Sequence, residues 1–102
     1  MNIYRIEQDV NEGCETYDCA IVVASSEHAA RRIHPASCVD FSVTWCDAAG
    51  VWIARYHDGT SLDYGDAASW VPMPEQVAVV FVGAAADGYK EGTVLCASYN
   101  GC

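Results

Sequence analysis

The chain has 102 residues, with fourteen acidic side chains against five basic ones and a formal net charge of −9. That excess repels nucleic acid and anionic membranes, so direct binding to either is not expected, and it favours basic surfaces on other proteins. Apolar residues make up 52 % and charged residues 19 %, which excludes a disordered acidic tail and points to one domain over 1–102.

The N-terminal stretch has no basic start followed by an apolar run, so no secretory signal is read there and the cytoplasm is the expected location. Residues 3–8 read as a first strand. Residues 16–24 form a stronger one, with Tyr17, Cys19, Ile21 and Val23 on one face and Asp18, Ala20, Val22 and Ala24 on the other. Asn11 and Gly13 suit a hairpin or wide loop over 9–15. Ser25 and Ser26 then offer N-cap oxygens, Glu27 suits the first helical turn, and Glu27 and Arg31 are spaced for a surface pair. His34-Pro35 ends this helix, whose buried stripe is predicted to be Ala29, Ala30 and Ile33. His28 and His34 fall on either side of the stripe and are expected on the surface.

Residues 39–45 alternate, with Val39, Phe41, Val43 and Trp45 expected inward. A turn over 47–50 leads into a strand over 51–56 that sets Val51 and Ile53 on one face. Asp58-Gly59 is a hairpin pair. Residues 61–69 are polar and irregular; Trp70 is expected back on the core, and Pro72 and Pro74 exclude regular structure around them. Residues 77–82 are the most apolar strand, predicted central in the sheet, and 93–99 a last strand paired with it. The apolar run over 77–86 is about half a membrane span. The fold class is α+β: an antiparallel sheet of about five to six strands with one short helix packed on one face.

Six cysteines, at 14, 19, 38, 46, 96 and 102, would suggest disulfides in a secreted chain, but a reducing cytosol favours free thiols. Zinc sites pair cysteines two to four residues apart. Cys14 and Cys19 are the nearest approach and have no second close pair, so no metal and no cofactor are expected. No phosphate-binding glycine loop, G-x-S-x-G or H-E-x-x-H occurs. Cys14, Cys19 or Cys46 can be combined on paper with His57 and Asp58, as in any chain with this many cysteines and histidines. No catalysis is expected.

The acids are more informative. Glu7, Asp9, Glu12, Glu15 and Asp18 fall within twelve residues, opposed locally only by Arg5. On a strand, side chains two apart share a face at about 6.7 Å, the order of the spacing between neighbouring phosphates, so Glu7 and Asp9 can present such a pair. Asp58, Asp63 and Asp66 form a second group. Solvated acids of this kind maintain solubility; grouped acids also complement a lysine- and arginine-rich surface, where they speed encounter. Tyr4, Tyr17, Tyr64 and Tyr89 are the candidate aromatic anchors beside them.

Three stretches, NIYRIEQDV at 2–10, TYDCAIVVA at 16–24 followed by AARRIHP at 29–35, and VLCASYNG at 94–101, together resemble a family of small phage-encoded proteins. The resemblance covers both ends of the chain and leaves 36–71 unmatched. It implies the cytoplasm of an infected bacterium. By analogy of class it implies an inhibitor of a host system, such as an anti-CRISPR protein or a nucleic-acid mimic. The resulting expectation is an inhibitor whose acidic patches occlude a basic surface on a nucleic-acid-handling host complex, a CRISPR effector being the leading candidate. The alternative is a non-catalytic phage accessory or structural protein that self-associates through its sheet edge.

Overall fold

The computed structural model describes residues 1–62 and 68–101. Their secondary structure is strand β1 (Asn2–Glu7), strand β2 (Thr16–Ala24), helix α1 (Glu27–Ala30), and strands β3 (Phe41–Cys46), β4 (Val51–Tyr56), β5 (Ser61–Leu62), β6 (Ala78–Ala84) and β7 (Val94–Asn100). The α+β class and the antiparallel pairing are as expected, but the described residues form seven strands in two sheets rather than about five to six in one. A four-stranded sheet has the order β6-β1-β2-β7, and a three-stranded meander has the order β3-β4-β5.

The largest departure from expectation is β6. Its run of apolar residues was expected at the sheet centre; it stands instead at one edge, paired among the described residues only with β1, while β7 stands at the other edge, paired with β2. The β1–β2 hairpin takes both central positions. The link from β6 to β7 therefore crosses the hairpin's open end, held there by Ala85 N–H donating to the Met1 carbonyl (3.0 Å) and Gly92 N–H to the Val23 carbonyl (2.8 Å). An apolar run reports a lack of polar side chains; it does not distinguish two strand neighbours from one.

Tyr4 and Ile6 of β1 stand opposite Val22 and Ala20 of β2, and all four are buried. Arg5, between them, is exposed and defines the outer face. Across from this inner face, Val43, Trp52 and Ala54 of the meander complete the core with Ala30, Ile33, Trp70, Val71 and Val77. One core thus joins both sheets. Helix α1 is a single turn, capped by Ser26, whose Oγ accepts the Ala29 N–H (3.1 Å). So short a helix gains its stability from packing, here against β1, β2 and β6. Ala30 and Ile33 are buried, as the stripe predicts. Arg31 does not remain on the surface for Glu27; its guanidinium donates to the Val77 carbonyl and fastens the helix to the start of β6.

Two side chains depart from their expected exposure. His34 was expected in solvent but is fully buried, with its ring against Tyr17, Trp52 and Trp70 at centroid distances of 5.4–6.4 Å. Its Nδ1 accepts the Ala36 N–H (3.0 Å), and the His34 main-chain N–H donates to the Val43 carbonyl (3.0 Å), which brings the post-helix segment alongside β3. Val39 was expected inward but lies before β3 begins and is 86 % exposed. In β4 the core face belongs to Trp52 and Ala54, and Val51 and Ile53 share the other face, as their spacing predicts. Trp70 does return to the core, at 1 % exposure. Pro74 opens a 3-10 turn over Pro74–Gln76, an entry for which its fixed φ is suited.

Candidate functional site: an acidic cleft at the end of the first hairpin

The loop between β1 and β2 carries the acids, and one side chain organises it. Gln8 follows directly on β1. Its Oε1 accepts the N–H groups of Val10 (2.8 Å) and Asn11 (2.7 Å), while its Nε2 donates to the carbonyls of Asn11 (2.7 Å) and Tyr17 (2.8 Å). A single amide therefore closes the loop on itself and ties it to β2. Asn11 then anchors the loop to a segment distant in sequence through Nδ2, which donates to the carbonyls of Ala68 (2.5 Å) and Trp70 (2.9 Å). The acids stand on a fixed support.

Glu7, Asp9, Glu12 and Asp18 line one cleft of about 560 Å³ together with Arg5 and Gln8. Among the described residues that line it, Arg5 is the one cation, and it is engaged with Glu7 (3.3 Å). Asp18 accepts from Asn100 Nδ2 (2.9 Å), which fixes its carboxylate at the β7 side of the cleft. A register shift between β2 and β7 falls at Asp18, between Tyr17 and Cys19; it lets Tyr17 pack against the core, with its ring 4.8 Å from that of Tyr99. Tyr17 is thus a core contact more than an anchor, and so is Tyr4, which is buried with its ring edge-on to Phe81. Tyr89 is exposed, and Tyr64 lies outside the described residues.

Glu15 does not line the cleft. It is exposed on the returning limb of the loop, at φ 60°, the left-handed region uncommon for a side chain other than glycine. Its N–H donates to the Asn100 carbonyl (2.5 Å), and this bond holds the conformation. Cys14 beside it is disulfide-bonded, a departure from the expectation of free thiols, whereas Cys19, Cys38, Cys46 and Cys96 are free.

Asp58 is separate from this group. It sits in the β4–β5 turn of the other sheet, where its Oδ1 accepts the Thr60 N–H (2.9 Å) and Gly59 takes φ 90°. Asp63 and Asp66 lie outside the described residues. Of the eight acids singled out in the sequence, the structure brings four into one cleft. Among the described residues no group of three or more His, Cys, Asp or Glu side chains is placed to hold a metal ion, and no helix is long and apolar enough to cross a membrane.

Gln8 is the residue the sequence did not single out, because its Tyr17 acceptor is defined only once the hairpin pairs. Gln8→Ala is expected to cost about 1–3 kcal/mol, the penalty for leaving several main-chain groups without partners. It should also free the loop. Urea unfolding and amide exchange at residues 10–12 check this; wild-type exchange rates there would contradict it.

The Thr60 N–H holds the Asp58 carboxyl below its ordinary 3.8, and the Arg32 side chain does the same for Asp47 through a 2.6 Å hydrogen bond. A carboxylate whose folded value is depressed contributes above its unfolded value, and the contribution is lost as pH falls through the folded one. Carboxyl carbon shifts followed by NMR are expected to give midpoints below 3.8 for both; a midpoint at or above that value for Asp58 would rule out the turn bond.

No family model, no curated protein and no solved structure matches the chain, so the resemblance to small phage proteins rests on its three stretches alone.

Proposed function

We propose that this protein is a non-catalytic binding protein that inhibits its target by placing its acidic hairpin end on a basic, nucleic-acid-handling surface. The observation that carries the proposal is the cleft in which Glu7, Asp9, Glu12 and Asp18 converge, on a loop braced by Gln8 and Asn11 and with Arg5 the one cation among the described residues that line the cleft. A braced cluster of like charges binds with little ordering cost, and its field steers a cationic partner. Occlusion of a nucleic-acid channel then follows, because protein carboxylates and nucleic-acid phosphates compete for the same lysine and arginine side chains. The resemblance to phage proteins supports a bacterial host complex as the target, with a CRISPR effector as the leading class.

Capture from a nuclease-treated bacterial lysate tests this reading. The immobilised chain is expected to retain nucleic-acid-handling proteins that elute as salt rises, since screening shortens from about 8 Å at physiological ionic strength to about 3 Å at 1 M. Retention that does not change with salt, or a captured set without nucleic-acid-handling proteins, would sink it.

A further inference from the structure

Strand β6 leaves one backbone edge open. β1 occupies its other side, and among the described residues no strand lies beyond it. Its seven residues, Ala-Val-Val-Phe-Val-Gly-Ala, carry no charge and no proline. Edge strands are ordinarily protected by lysine, proline, strong bulges or a covering element, because a row of free N–H and C=O groups templates pairing with another strand. Here the protection is limited to one register shift against β1, between Ile3 and Tyr4. Val80, Phe81 and Val82 are 49 %, 58 % and 56 % exposed in succession. The β7 edge differs in chemistry, since Cys96, Ser98 and Asn100 interrupt it.

We propose that the chain forms a two-fold dimer by antiparallel pairing of β6 with β6 of a second copy, joining the two four-stranded sheets into one of eight strands. A bare strand edge is satisfied by another extended strand, and β6 itself is the strand that fits. An axis through Phe81 sets Val80 opposite Val82, Val79 opposite Gly83 and Ala78 opposite Ala84, so every cross-strand neighbour is uncharged and Phe81 meets Phe81.

Charge selects the same arrangement. Glu7 is the register partner of Ala78, so the acidic cleft lies at the start of β6, and Ala78 lines it. Antiparallel pairing sends the two clefts to opposite ends of a ladder about 24 Å long, about three times the physiological screening length. Parallel pairing would set them side by side. The contact strip, about 24 Å by about 10 Å, gives on the order of 240 Å² per copy. Stable complexes bury roughly 800 Å² per partner, so this dimer is reversible and dependent on concentration. It rests on β6 and is independent of the function proposed for the acidic end.

Sedimentation velocity from micromolar to near-millimolar protein, on samples free of covalent dimer, tests the proposal. The weight-average mass is expected to rise toward that of a dimer; Val80→Lys and Val82→Lys should stay monomeric throughout, while Cys96→Lys on the β7 edge should associate like the wild type. A wild type monomeric at every concentration, a Val80→Lys variant that still dimerises, or a Cys96→Lys variant that does not, would each overturn it. If the lysine variants lose their far-UV circular dichroism, Phe81→Cys serves instead. Opposed residues of an antiparallel pair lie about 4.5–5.5 Å apart at Cα, within disulfide reach. Oxidised Phe81→Cys is expected to yield covalent dimer well above the wild-type level, and no increase would overturn the proposal.

Discussion

Trp70→Ala is expected to remove much of the stability of the fold. The indole is 1 % exposed and belongs to the core that joins both sheets. Truncating a buried tryptophan costs about 3–5 kcal/mol, against a total of about 5–15 kcal/mol for a domain. The loss extends to the site, because the Trp70 carbonyl is one of the two that hold Asn11 and, through it, the acidic loop. Trp70→Phe should be milder for a specific reason. The Trp70 indole N–H finds no acceptor among the described residues, and a buried donor left unpaired costs about 1–3 kcal/mol. Phenylalanine gives up volume but also removes that donor. Urea midpoints read by circular dichroism check the series. An alanine variant within about 1 kcal/mol of the wild type would contradict the role given to this core cluster.

The second large effect concerns binding. Replacing Glu7, Glu12 and Glu15 by glutamine and Asp9 and Asp18 by asparagine changes the net charge from −9 to −4. Exposed ion pairs contribute about 0.2–1 kcal/mol each, so five of them together are worth about five-fold to a few thousand-fold in affinity. Most of the change should appear in the association rate. An arginine-rich peptide serves as probe: wild-type amides over 7–18 should shift on titration and the neutral variant's should not. Equal affinity for both proteins would remove the electrostatic account. The helix, Trp52 and Val43 lie in other elements, so the variant's circular dichroism should match the wild type.

The sequence made some of this legible and hid the rest for physical reasons. Strand β2, the Ser26 cap, the Asp58-Gly59 turn and the return of Trp70 rest on local chemistry, namely alternation, a hydroxyl before a helical turn, a residue tolerant of positive φ, and bulk. Sheet partnership is not local. Whether residues 77–82 have one neighbour or two depends on the β1–β2 hairpin taking the centre, which no window around them reports. His34 is misjudged from helical geometry because α1 stops at Ala30, and the chain that follows lies along β3, where the ring turns inward. The acids of 7–18 were legible as a group. Their convergence was not, since it depends on Gln8 reaching Tyr17 and on Asn11 reaching across 57 and 59 residues to Ala68 and Trp70.

The central claim, that the acidic hairpin end displaces nucleic acid from a basic surface, is tested most directly by DNA occupancy of purified CRISPR effectors at equimolar protein. The wild type is expected to lower occupancy of at least one effector, increasingly so as ionic strength falls, and the five-residue neutral variant to leave it unchanged. Full occupancy of every effector with the wild type, or equal displacement by the neutral variant, would contradict the account.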